Sequence, residues 1–332
     1  MGWLRDETGL DKSDANFVPL TPLSHLRRAA ALFPDKTAIV DGPRRFSYAA
    51  YYARASQLAS ALTGAGVTSG DVVATILPNI LAQAEAHWGV PATGAVLNTI
   101  NTRLDVDTVA YIFGHGGAKI ALVDTAFLGL AEAALERMEG DGPRLIEVND
   151  PNSGLPATGR HTEYEAFLAE DNAGGDAGFS WHMPEDEWES LALNYTSGTT
   201  GRPKGVVYSH RGAYLHTLGL ALDWGLNRDT VYLTIVPLFH CNNWIHTWSI
   251  PAVGGTVVCC RDITPKSIYD AIADEGVTNF GGAPIVLNLI VNAPDEVRRD
   301  FDHIVKVYTA GAPPPAAVLA GIEPLGFSVT QT

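Results

Sequence analysis

The chain of 332 residues is 46% hydrophobic and 18% charged. That is enough apolar material for a large buried core, in roughly two domains or one domain with subdomains, and it excludes a disordered chain. A formal net charge of −15 and a pI of about 5.0 exclude a general attraction to nucleic acid or to an anionic membrane, so an anionic ligand needs a local positive site.

Residues 23–33 are predicted as an amphipathic helix. Short strands at 38–41 and 45–46 flank the Asp41-Gly42 turn, and Ser47 is the expected N-cap of a helix at 47–62. The apolar run 72–77 suits a buried parallel strand, and Pro78-Asn79 opens a helix to about Trp88. A strand at 94–97, a helix at 105–113, a strand at 119–123, a helix at 126–138 and a strand at 144–148 follow. Residues 149–186 are rich in Gly, Pro, Asp and Asn and read as a surface connection with one short helix near 163–169. Strands are then expected at 191–195, 206–208, 230–235, 257–260, 277–280 and 304–309, and helices at 210–224, 244–253, 265–275 and 284–292. The alternation predicts an α/β fold of layered subdomains with mostly parallel sheets. The break in rhythm divides the chain into 1–185, a first αβ subdomain plus linker, and 186–332, a second carrying the loop described next.

Residues 195–205 read Tyr-Thr-Ser-Gly-Thr-Thr-Gly-Arg-Pro-Lys-Gly. Four hydroxyls between Thr196 and Thr200, three glycines and two cations, Arg202 and Lys204, fall within eleven residues. Glycine lets backbone N–H groups turn toward an anion, and hydroxyls and cations add donors and charge. The loop follows an apolar strand, whose carboxyl end is where α/β sheets bind ligands. It is not a Walker A loop, because Pro203 precedes Lys204 and Gly205 follows it.

This loop resembles the signature of the adenylate-forming, AMP-binding superfamily, which includes acyl-CoA synthetases, luciferases and peptide-synthetase adenylation domains. The resemblance implies the large N-terminal domain of such an enzyme. It also implies that Thr196, Ser197, Gly198, Thr199, Thr200, Gly201 and Lys204 hold the phosphates of ATP, with Lys204, Thr196 and His240 as the catalytic residues. Pro237-Leu238-Phe239-His240 resembles the family's aromatic/His motif at the acyl pocket. The following Cys241-Asn242-Asn243-Trp244 resembles plant peroxisomal-type acyl-activating enzymes and bacterial medium-chain or 3-(methylthio)propanoate CoA ligases. Trp244 is either a pocket wall that limits acyl length or a core tryptophan. Gly281, Gly282, Ala283 and Pro284 match a turn lining the acyl and nucleotide pocket in relatives, with Pro284 near the start of a helix. Gly311, Ala312 and Pro313 resemble the stretch whose backbone flanks adenine.

No acidic residue lies in 237–244, so nothing there would balance a buried substrate ammonium. The expected substrate is therefore a simple short- or medium-chain carboxylic acid, 3-(methylthio)propanoate among the candidates, with ATP, Mg2+ and CoA taking part. An aryl ligase of the benzoate type and a non-catalytic nucleotide- or acyl-binding fragment are the alternatives. A homodimer is compatible with this reading; a nucleic-acid partner and a membrane span are not expected. The three cysteines, Cys241, Cys259 and Cys260, show no zinc spacing and point to a reducing, cytoplasmic setting. Relatives continue past the position of Thr332 with a Tyr-Gly-x-Thr-Glu motif, a ribose-binding Asp and a small C-terminal domain with a catalytic Lys. The chain is thus expected to be a truncated N-terminal part that does not complete the reaction by itself.

Overall fold

The computed structural model describes residues 8–9, 11–170, 178–196 and 201–331. Along the described chain run the strands β1 (Thr37–Asp41), β2 (Arg44–Ser47), β3 (Val72–Ile76), β4 (Val96–Thr99), β5 (Ala118–Asp124), β6 (Arg144–Val148) and β7 (Thr162–Glu163). They are followed by β8 (Ser190–Thr196), β9 (Lys204–Ser209), β10 (Val231–Leu233), β11 (Thr256–Val258), β12 (Asn279–Gly281), β13 (Val305–Thr309) and β14 (Phe327–Gln331). These strands make two seven-stranded sheets, one in the order β7-β6-β5-β3-β4-β8-β9 and the other in the order β14-β13-β12-β10-β11-β1-β2. Pairing is parallel except at one edge of each sheet, where β8/β9 and β1/β2 are antiparallel. The expected α/β class with mostly parallel sheets is what the chain forms.

The expected division at residue 185 does not separate the sheets. β1 and β2 join the sheet of the C-terminal strands through β11, and β8 and β9 complete the sheet of the N-terminal strands through β4. The hairpin that carries the glycine-hydroxyl loop therefore belongs to the first sheet. The break at 149–186 is a change in local composition. Sheet membership depends instead on which neighbour offers a strand a buried partner, a long-range property that chain order does not encode.

Local signals placed most elements. Ser47 caps the helix Tyr48–Gly64, its Oγ accepting from the Ala50 N–H at 3.2 Å. Thr264 and Ser267 form a reciprocal cap on Pro265–Glu275. Two elements beyond the last expected strand, the helix Ala316–Ile322 and β14, were not foreseen; β14 alternates apolar and polar residues, buries Phe327 and pairs in parallel along β13. The helix expected from 244 begins instead at His246, for a reason that bears on the site.

The carboxyl ends of the two sheets face each other. Arg261, just past β11, donates to Asp124 at the end of β5 at 2.7 and 3.0 Å and to Asp150 past β6 at 2.8 Å. Asn79, just past β3, donates from Nδ2 to the Thr234 carbonyl at 2.6 Å, while its Oδ1 accepts from the Leu238 N–H at 2.7 Å. Between the sheets lies the helix Leu81–Gly89, every residue of which is buried. Trp88 and Trp248 belong to one continuous apolar cluster with Tyr232 and Tyr308 of the second sheet and Leu97 and Leu191 of the first. A site at either set of carboxyl ends is therefore shared by both sheets.

Candidate active site

The glycine-hydroxyl segment connects β8 to β9, which pair antiparallel. Leu191 and Ala192 anchor β8 in the core. The register then pairs Tyr195 with Gly205 and Thr196 with Lys204. Thr196 and Lys204 are both exposed, so the cation and the first hydroxyl stand side by side at the mouth of the hairpin. Ser197, Gly198, Thr199 and Thr200 lie outside the described residues. Gly201 has φ of 99°, a conformation that a side chain would strain. Tyr195 packs back against the first sheet, its hydroxyl 2.7 Å from His115 Nδ1, and burial pushes its pKa up to about 12.

The opposite wall comes from the other sheet. The chain leaves β10, is gripped by Asn79, and runs through Pro237-Leu238-Phe239 to His240. Residues 241–245 then all have positive φ: Cys241 48°, Asn242 51°, Asn243 57°, Trp244 49° and Ile245 69°. They form a left-handed turn, closed by the Ile245 N–H to the Asn242 carbonyl at 3.1 Å and the Asn243 N–H to the His240 carbonyl at 3.0 Å. For L-residues this conformation costs roughly 1–2 kcal/mol each, eased where Asn occupies it. The turn is why the next helix starts at His246.

The carbonyl of Phe239 accepts from Thr99 Oγ1 and from Asn194 Nδ2, both at 3.2 Å. Asn242 is fully buried and donates to Asn194 Oδ1 at 2.9 Å. His240 is exposed, with Nε2 4.0 Å from the Cys241 sulfur. The thiol beside it raises the His240 pKa, and the imidazole lowers that of Cys241. Burial, with Cys241 beside it, raises Tyr208 to about 12.

Between the walls lies a cavity of about 570 Å³ whose lining includes Asn194, Thr196, Gly201, Tyr208, His240 and Cys241. The structure thus brings Thr196, Gly201 and His240 onto one groove, with Lys204 at its hairpin end. A second contact joins two more expected residues. A Cβ on Gly281 would lie 3.1 Å from each of Trp244 Cε3, Tyr232 Oη and Val236 Cγ2, so the indole packs closely over the glycine and a side chain there would crowd it. Gly282 donates to the Tyr308 carbonyl at 2.9 Å, and Ala283 and Pro284 begin the helix Pro284–Val291. Gly311, Ala312 and Pro313 are exposed beyond β13, two strands along the sheet from β10. Asn79, Thr99 and Asn194 have no site role in the sequence reading, and Asn242 enters it only as part of the 241–244 motif. The signal available was an asparagine or threonine at the carboxyl end of an apolar strand.

The match to the AMP-binding enzyme family runs over residues 26–331. The chain belongs to this family. Over 340 aligned residues it is 45% identical to the acetate–CoA ligase CCL3 of Humulus lupulus, covering 99% of this chain and 59% of that protein. It is 44% identical to the peroxisomal acetate/butyrate–CoA ligase AAE7 of Arabidopsis thaliana, again covering 99% and 59%. The inhibitor-bound N-terminal domain of FACL13 from Mycobacterium tuberculosis superposes with a TM-score of 0.80 at 25% identity, over 94% of this chain and 75% of that one. The family implied by the loop is the family found, and the chain spans about three-fifths of the length of these curated relatives. Among the described residues no helix is long and apolar enough to cross a membrane.

Magnesium, implied by the resemblance, calls for carboxylate and phosphate oxygens. No described residue lining the groove is acidic, and no group of three or more His, Cys, Asp or Glu among the described residues could hold a metal. These described residues do not form a magnesium site.

Proposed function

We propose that the whole protein is an AMP-forming acyl-CoA ligase acting on a short- or medium-chain carboxylic acid. The observation that carries this reading is the shared groove, where the Thr196/Lys204 hairpin mouth of one sheet meets the His240 turn of the other. A carboxylate oxygen attacks the α-phosphorus of ATP, the bond to pyrophosphate breaks, and the acyl-adenylate forms. The CoA thiol then attacks the acyl carbon and AMP leaves. Lys204, the Thr196 hydroxyl and the donors of 197–201 stabilise charge developing on the departing pyrophosphate. His240 sits beside the reacting carboxylate, and 281–284 and 311–313 border the acyl chain and the adenine.

Trp244 packs against Gly281, which the family resemblance puts at the acyl pocket, and an indole there would limit acyl length. The printed names of the two relatives, acetate and acetate/butyrate ligases, point the same way. A cytosolic setting is our reading from the three free cysteines. The test is acid-dependent ATP–pyrophosphate exchange by the full-length protein with acetate, butyrate, hexanoate, 3-(methylthio)propanoate and benzoate. Highest kcat/KM with an aliphatic acid of two to about six carbons supports the reading. Exchange with none of them rejects it, and preference for benzoate replaces it with an aryl ligase.

A further inference from the structure

We propose that Asn194 and Asn242 are positioning residues that latch the left-handed turn at 241–245 to the strand feeding the nucleotide loop, and so set His240 across the groove from it. The inference rests on the acyl-adenylating reading for its catalytic consequence, and on contacts within the chain for its geometry.

The turn is strained along its whole length, and such a backbone persists only where its surroundings over-determine it. Within its own segment the turn is held by Thr247 Oγ1 donating to the Asn242 carbonyl at 3.3 Å and by His246 Nδ1 at 3.0 Å from the Asn243 carbonyl; its tie to the first sheet is a chain of side-chain hydrogen bonds. Asn194 Nδ2 donates to Thr99 Oγ1 at 2.6 Å and to the Phe239 carbonyl at 3.2 Å. The Thr99 hydroxyl also donates to that carbonyl, at 3.2 Å. A carbonyl can only accept, so the amide of Asn194 has one workable orientation: its NH2 faces Phe239 and its Oδ1 faces away. That Oδ1 accepts from Asn242 Nδ2 at 2.9 Å. Both asparagines are buried, with relative exposures of 6% and 0%, so water does not readily replace either partner.

The latch thus grips both sides of His240, through the Phe239 carbonyl before it and the Asn242 side chain after it. Asn194 precedes Thr196 by two residues in β8, and Asn194, Thr196, His240 and Cys241 all line the same groove. A shift of the phosphate-binding end is transmitted to the histidine through one amide. A turn needed only to connect β10 to the next helix would not require bonding to the strand that carries the nucleotide loop.

The decisive experiment uses the full-length protein and a double-mutant cycle of Asn242→Gly with His240→Ala, read by pyrophosphate exchange and by melting temperature. Glycine accepts the left-handed backbone, so Asn242→Gly removes the latch without adding strain. We expect kcat/KM to fall tenfold or more in the wild-type background and less than twofold in the His240→Ala background. Equal losses in both backgrounds, or no loss, overturn the latch. Asn194→Asp is the companion variant, since a carboxylate cannot donate to Phe239, and it should show the same dependence on His240.

A readout independent of turnover separates this proposal from the functional reading. The latch holds Cys241 beside His240, so the pH midpoint for iodoacetamide labelling of Cys241 should rise in Asn242→Gly toward that of an ordinary thiol. An unchanged midpoint overturns the latch even if exchange proceeds. A raised midpoint in a protein that catalyses no exchange leaves the latch standing and rejects the ligase reading.

Discussion

The two walls of the groove are built on opposite plans. The hairpin wall is exposed, local in sequence and rich in groups with an obvious affinity for phosphate: Thr196 and Lys204 meet because the β8/β9 register puts them opposite each other. The turn wall is buried at Asn242 and Asn243 and half-buried at Cys241 and Trp244, with His240 exposed, and it is assembled from residues far apart in the chain. Asn79, Thr99 and Asn194 come from three strand ends of one sheet to hold a segment leaving the other. In the proposed ligase one wall supplies charge to a ligand and the other supplies a fixed position. Substitutions on the first should change chemistry with little effect on stability, and substitutions on the second should change both.

The largest effect expected tests the first half of that contrast. In the full-length protein, Lys204→Ala should lower the rate of acid-dependent exchange by about 10²–10³, the usual loss when a group stabilising developing charge is removed. Because Lys204 is exposed at the hairpin mouth, the melting temperature should stay within a few degrees of wild type. Unchanged exchange removes Lys204 from the chemistry, and a large drop in melting temperature would mean that the hairpin wall is structural after all.

The turn wall should instead respond to acid. His246 begins the helix after the turn, and its Nδ1 lies 3.0 Å from the Asn243 carbonyl, so in the neutral ring Nδ1 carries the proton. The ring is stacked on Tyr232 at 4.4 Å and Trp224 at 4.5 Å, and burial lowers its pKa to about 3. A histidine held neutral contributes stability that is fully present above its unfolded pKa of roughly 6.5 and is lost as pH falls toward about 3. At pH 4.5 the loss should be about 3 kcal/mol, from roughly two pH units at 1.36 kcal/mol each. His246→Phe keeps an aromatic ring in the stack and removes the titration. Denaturant unfolding between pH 7 and 4.5 should then show a shallower fall in stability than wild type; parallel curves would break the assignment.

What the sequence disclosed divides along the same line. The hairpin wall was legible because its determinants are adjacent: an apolar strand, then glycines, hydroxyls and cations in one run. The left-handed turn was not, because Asn242 and Asn243 in isolation are compatible with an ordinary helix start or loop, and only the partners at Thr99 and Asn194 distinguish the cases. The sheets show the same limit. Strands β10 and β12 were foreseen as segments, yet the exchange of β1/β2 and β8/β9 between sheets depends on pairings more than a hundred residues apart for β1 with β11.

Trp244, in the turn, packs against its own sheet and should yield a smaller effect. Its ring closes on Gly281 beside Tyr232 and Val236. Replacing it with alanine should free space for a longer acyl chain, with each buried methylene worth about 0.8 kcal/mol, or roughly fourfold in kcat/KM. The hexanoate-to-butyrate ratio, set by two methylenes, should therefore rise about fifteenfold in Trp244→Ala. A ratio that does not move, with both rates lowered together, would make Trp244 a packing residue of the turn and not a wall of the acyl pocket.

The smallest effect expected is also the most direct comparison between positions inside the turn and outside it. Cys241 is half-buried at the groove, and His240 lowers its pKa. Cys259 and Cys260 follow directly on β11 of the second sheet, where burial raises their pKa values, that of Cys260 to about 11. Thiolate is the reactive form, so at pH 7 iodoacetamide should label Cys241 several-fold faster than either of the others, as read by peptide mass spectrometry. ATP together with the preferred acid should slow that labelling, because Cys241 and Thr196 line one cavity. Labelling of Cys241 that is fast but indifferent to both ligands would separate the thiol from the occupied part of the groove, and would place the ligand nearer the hairpin than the turn.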